Sequence, residues 1–138
     1  MIINTVLSLL GSAVSTFITS AWMNNKKFRM EDILNATLAG GVIIGTSCDM
    51  IRNPFVAMLI GLAGGVISTY GFNRLTPWLN DKGYLHDTCG VINLHGIPGF
   101  VGAILGSINA AVADSGSFAP VNISDVFPKR AFGPHPRS

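Results

Sequence analysis

Charge is the scarcest thing in this sequence. Asp, Glu, Lys and Arg make up 12% of the 138 residues, about half the share in an ordinary soluble domain. None of them occurs in residues 1–25, 33–48, 53–73 or 88–113. A helix needs about 20 mostly apolar residues to cross a hydrocarbon core of roughly 30 Å. Three of the charge-free stretches have that length, and the second reaches it if Asp32 and Asp49 sit at the two interfaces. A helix of a soluble protein normally shows one polar face with charges, and none of these stretches has a charged face. The expected fold is therefore all-α and integral to a membrane. Its four transmembrane helices fall near residues 3–23, 32–51, 54–73 and 88–112.

Other absences narrow the function. There is no basic stripe or aromatic platform for nucleic acid, and the net charge of +2 is small. No nucleophile elbow, phosphate loop or catalytic triad appears, which speaks against an enzyme and implies no cofactor. His86, His95 and His135 share no metal-ligand spacing with the two cysteines, so no metal site is expected. A bilayer thickness is expected between Cys48 and Cys89, well beyond the ~7 Å Cα limit for a disulfide. The first span is a poor signal peptide, because Lys26, Lys27 and Arg29 follow its long apolar run rather than precede it.

Basic residues set an orientation. The loops after the first and third spans carry Lys26, Lys27, Arg29, Arg74 and Lys82, whereas the loop between spans two and three carries only Arg52. Five against one places the first and third loops in the cytoplasm. Trp22 and Trp78 then lie at cytoplasmic helix ends, as an aromatic belt requires.

What is plentiful is glycine, with 16 residues, most of them inside the proposed helices. Small residues let helix backbones approach in a bilayer, where no hydrophobic drive holds helices together. Gly41 and Gly45, Gly61 and Gly65, and Gly102 and Gly106 are each four apart, so each pair shares a face. Ser8, Ser12, Thr16 and Ser20 form a similar stripe on the first span. These segments are expected to pack inside a multi-helix bundle.

One residue stands out chemically. His95 lies about 10 Å into the fourth span, where an ionisable side chain is costly and faces a bundle interior or a water-filled path. His95, Gly99, Gly102 and Gly106 follow an i, i+4, i+7, i+11 pattern, so the imidazole is expected to share the packed glycine face. Pro98 removes the amide that would bond the carbonyl of Leu94 and should bend the helix there. Asn93 adds a polar group nearby. A dry environment favours the neutral imidazole, whose one donor and one acceptor suit a small polar solute or a proton relay; a neutral histidine bonded between helices is the competing reading. Asp87 and His86 lie at the inner mouth of this span, and Asp87 is placed to cap it.

Beyond residue 112 the pattern changes. Four of the seven prolines fall in residues 113–138, so a flexible tail is expected after a membrane region of residues 1–112. Asn122-Ile-Ser124 is a glycosylation sequon that the predicted orientation would expose outside. Asn35-Ala-Thr37 matches too, but inside a span.

The stretch HDTCGVINLHGIPGFVGAILGSI resembles the ammonium transporter/Rh family, and its NLHGIPG core is similar to the Rh branch. NATLAGGVIIGT, PFVAMLIGLAGGVISTYGF and the opening INTVLSLL resemble the helices before it, in order, across about residues 3–112. The resemblance implies a homotrimer in which every subunit holds a narrow hydrophobic pore for ammonium or ammonia, with carbon dioxide linked to some members. It matches His95 to the second of two histidines facing each other in that pore, and Asp87 to an acidic position before the helix. The family fold has about eleven or twelve helices in two halves, and the four here match the second half. The resemblance thus implies a multi-pass protein of the plasma membrane, inactive as these four helices alone. The alternative expectation is a truncated, non-conducting subunit or modulator of full-length homologs.

Overall fold

The computed structural model describes residues 1–83 and 86–113, and among these every regular element is helical. The tail, with Asn122, lies outside the described residues. The first helix, α1 (Ile2–Met23), turns its polar side inward. Asn4, Ser8, Ser12, Thr16 and Ser20 recur every fourth residue and are all buried, while Ile3, Val6, Leu10, Val14 and Ile18 are exposed. That inversion suits lipid on the outside: apolar surface needs no protein cover there, and small hydroxyls serve helix contacts.

The second span is broken. It comprises α2 (Met30–Asn35), a single 3-10 turn (Ala36–Leu38) and α3 (Ala39–Ile44), then bends through residues 45–50 where a helix was expected to run to 51. The α1 hydroxyls supply the reason. Ser8 Oγ donates to the carbonyl of Gly40 at 2.6 Å and Ser12 Oγ to that of Ala36 at 2.8 Å, while Ser12 Oγ accepts from the Gly40 N–H at 3.1 Å. These bonds compete with the regular helical ladder. At the far end, Asn4 Nδ2 donates to the carbonyls of Cys48 and Ile51 at 2.9 and 2.7 Å, taking up acceptors that the missing last turn leaves free.

Next comes α4 (Pro54–Tyr70), started by Pro54 in its first turn and by Asn53 Oδ1 accepting from the Phe55 N–H at 3.0 Å. It passes through a π turn (Gly71–Leu75) into α5 (Thr76–Lys82). A second π turn (Ile92–Gly96) leads into α6 (Ile97–Val112). Each π turn ends two residues before a proline, Pro77 or Pro98. A proline within a helix lacks its N–H and pushes against the carbonyl four residues back. Widening the preceding turn avoids that conflict. The N–H of Thr76 reaches the carbonyl of Gly71, and that of Ile97 reaches Ile92. Pro98 thus sits after an inserted residue, where a simple bend was expected.

Three continuous helical stretches, Ile2–Met23, Pro54–Lys82 and Ile92–Val112, are long and apolar enough to cross a membrane. The broken second span threads between them, antiparallel to α1 and parallel to α6.

Candidate functional site

The π turn of residues 92–96 decides where the polar groups of the last span point. Asn93, Pro98, Gly102 and Gly106 form its buried row. The five-residue step from Asn93 to Pro98 is the inserted residue, and the later steps are four. One helical position is a rotation of about 100°. His95 is accordingly carried off the packed row and lies exposed, with Gly99 only half-buried. This corrects the expectation that His95 shares the face of Gly102 and Gly106: that spacing assumed an unbroken α-helix.

Asn93 takes the packed position. It is 1% exposed, and its Nδ2 donates to Thr76 Oγ1 on α5. Its Oδ1 is buried without a hydrogen-bond partner and lies against Gly71, where an added Cβ would collide with it.

Asp87 closes the start of the same span. Its two carboxylate oxygens accept from the N–H groups of Val91 and Ile92, each at 2.9 Å. Gly90, at φ 68°, makes the intervening left-handed turn and lies on the ring of Phe72. Asp87 also borders an open cleft of about 600 Å³, with Arg29, Glu31, Thr76 and Asp81 among its walls. His86 is exposed nearby.

The packing glycines separate into two groups. An added Cβ on Gly61 would collide with the backbone of Ser8, and one on Gly65 with Ser15 Oγ. On Gly102 it would fall 2.6 Å from the carbonyl oxygen of Ile43, and on Gly106 2.6 Å from Thr46 Oγ1. Gly41 meets only the flexible Leu9 side chain at 3.1 Å, and Gly99 only Val42 at 3.9 Å. Gly45 is exposed and corrects the expected Gly41–Gly45 contact. Because α3 stops at Ile44, Gly45 does not continue a helical face, and Gly40 takes the tight contact against Ser8 instead.

A buried polar cluster at the cytoplasmic end of the predicted topology escaped the sequence reading. Asp32 is 0% exposed. It accepts from Ser20 Oγ at 2.6 Å, from Asn24 Nδ2 at 3.4 Å and from Asn73 Nδ2 at 3.0 Å to each carboxylate oxygen. Arg29 donates to Asn73 Oδ1 at 3.0 Å and pairs with Glu31. In the sequence Asp32 reads as an interfacial charge, and no local spacing links it to Ser20 or Asn73. Among the described residues no group of three His, Cys, Asp or Glu side chains could hold a metal ion. Both cysteines are free thiols, Cys48 buried and Cys89 exposed.

Apolar helices of spanning length, contacts built on small residues and a polar side turned inward define a multi-pass helical membrane protein. The family model of the Ammonium Transporter Family matches residues 1–128, so the match continues past residue 112. The chain belongs to that family. It is 43% identical over 126 residues to Ammonium transporter Rh type C of Xenopus laevis, covering 91% of this chain and 27% of the relative. Ammonium transporter Rh type A of Bos taurus is 45% identical, covering 88% of this chain and 29% of the relative. The solved structure of Nitrosomonas europaea Rh50, described with the mechanism of conduction by the Rhesus protein family of channels, superposes with a TM-score of 0.75 at 44% identity. That superposition covers 78% of this chain and 28% of the other. The chain thus spans less than a third of the length of these relatives.

Proposed function

We propose that this chain supplies one wall of a pore for ammonium and ammonia, with His95 facing the conducting path. The observation that carries the reading is the placement of His95: an imidazole inside a spanning helix, turned by the π turn onto a face that the chain's other helices leave exposed. An intramembrane ionisable group belongs in a protein interior or a water-filled path. The opposite wall therefore comes from helices outside these 138 residues, in the same polypeptide or a neighbouring one. The relatives' naming as ammonium transporters supports the choice of solute. Neutral imidazole can accept a proton from ammonium at one nitrogen while the other keeps its donor. Carbon dioxide, another small uncharged solute, falls within the same reading, as does a homotrimer in the plasma membrane.

The test is ammonia or methylammonium flux into proteoliposomes, with this chain alone and together with a full-length Rh-type relative. Flux that depends on the chain and falls in His95→Ala supports the pore role; flux indifferent to that substitution overturns it. A second reading, a non-conducting subunit or modulator, draws on the same exposed faces. Co-purification with the full-length relative, with flux unchanged by His95→Ala, would favour it.

A further inference from the structure

Two π turns, on consecutive membrane helices, meet at one side-chain pair. Gly71–Leu75 precedes Thr76, and Ile92–Gly96 contains Asn93, whose Nδ2 donates to Thr76 Oγ1. Single-turn π insertions are rare and frequently occur at functional sites. A proline two residues downstream favours each turn, but does not dictate which residues point inward.

We propose that Asn93 is a positioning residue: through Thr76 it locks the second π turn in phase and thereby holds His95 on the open face. The inference rests on the pore reading for its purpose, not for its geometry. Three observations carry it. Asn93 occupies the head of the buried row that continues through Pro98, Gly102 and Gly106, and is 1% exposed. Its carboxamide leaves Oδ1 buried and unpaired while its donor reaches Thr76. A buried acceptor without a partner is costly, so the surrounding structure imposes this placement. Finally, the carboxamide fills the space of the side chain that Gly71 lacks, so the first π turn supplies a recess for the second. If the turn reverted to α-helix, residue 94 would replace Asn93 four positions before Pro98. His95 would then rotate by about 100°, one helical position, towards the packed side.

The test reads that phase directly and needs no substrate. In the full chain, with Cys48→Ala and Cys89→Ser in the background, a nitroxide is attached to a single cysteine at position 94, 95 or 96 in liposomes. Its collision rates with oxygen and with a water-soluble nickel chelate are then measured. The native pair should give the labels at 95 and 96 similar, high access and that at 94 less. Thr76→Ser, which keeps the hydroxyl, should preserve this pattern, while Thr76→Val and Asn93→Ala should leave the access maximum at 96 alone and lower the access of 94 and 95. An unchanged access pattern across 94–96 in Thr76→Val, or equal shifts in Thr76→Ser and Thr76→Val, would overturn the proposal. Thr76→Val nearly preserves volume, so it tests the clamp even if Asn93→Ala fails to fold. Conduction enters only afterwards: a shifted phase with unaltered flux would leave the clamp standing and sink the pore role of His95 instead.

Discussion

Asn73 reaches across forty-one positions of sequence to place its Nδ2 3.0 Å from both carboxylate oxygens of Asp32. The same nitrogen also donates to the carbonyl of Thr69 at 2.8 Å, so the π turn after α4 and the start of α2 are held by one amide. Ser20 from α1 completes the knot. Three chain segments therefore meet on a single buried carboxylate. Removing the carboxylate strands two of its donors at once. Hydrogen bonds to charged groups contribute about 1.5–3 kcal/mol each, and the pairs share one acceptor group, so Asp32→Ala should cost roughly 2–4 kcal/mol. Ser20→Ala should cost less, about 1–2 kcal/mol. Unfolding of the purified protein in mild detergent checks both, and equal stability of Asp32→Ala and wild type would refute the account.

Contacts between α1 and α4 depend on the absence of side chains. A Cβ at Gly61 would enter the backbone of Ser8, and backbone cannot yield as a flexible side chain can. Gly61→Ala should therefore destabilise by about 3 kcal/mol, the upper part of the range for overpacking. Gly99→Ala is the internal control. Its Cβ would find only Val42 at 3.9 Å, and its effect should stay within about 0.5 kcal/mol, as for a substitution without a specific mechanism. Comparable losses in the two variants would show that residue 61 does not mark a close approach.

The second span should loosen locally when its outer end loses Asn4. That side chain donates to two carbonyls, of Cys48 and Ile51, where the helix has already ended. Asn4→Leu keeps much of the volume but removes both donors, leaving buried acceptors unpaired at about 1–3 kcal/mol each. Hydrogen exchange of the backbone amides of residues 46–53 should accelerate while that of α4 stays unchanged. A uniform rise across the molecule would mean that Asn4 supports the whole bundle rather than this turn.

The spans themselves were legible because charge-free length is a direct consequence of bilayer thickness. The tight row Gly61–Gly65 was legible for a related reason: α4 runs without interruption, so a spacing of four remains one face. Where the helix changes form, the same arithmetic misplaces residues. The 3-10 turn at Ala36–Leu38 moves the tight contact from Gly41 to Gly40. The π turn puts Asn93 at the head of the packed row and turns His95 away from it. Pro77 and Pro98 announce a disturbance, but not whether the helix kinks or widens. Asp32 was beyond local reading altogether, because its partners Ser20 and Asn73 come from other helices.

Asp87 offers a test of capping that is separate from the pore. Its carboxylate accepts from two N–H groups at the start of the last span. Asp87→Ala should cost about 1–2 kcal/mol, as for loss of a helix N-terminal cap, and Asp87→Asn less because an amide oxygen can still accept. Thermal unfolding distinguishes the three proteins, and an order in which Asn is worse than Ala would contradict a capping role.

His95 should behave in the opposite way. Its exposed imidazole lies off the buried row of the last span, so His95→Ala should change stability by no more than about 0.5 kcal/mol. On the pore reading, the same substitution should reduce ammonia or methylammonium flux in an assembly with a complete pore. The dissociation between the two measurements is the informative result, since a histidine that served mainly to bond helices together would lose stability and flux in parallel. Parallel loss would therefore move His95 from the conducting path to a structural role, and leave the exposed face to be explained by helix association alone.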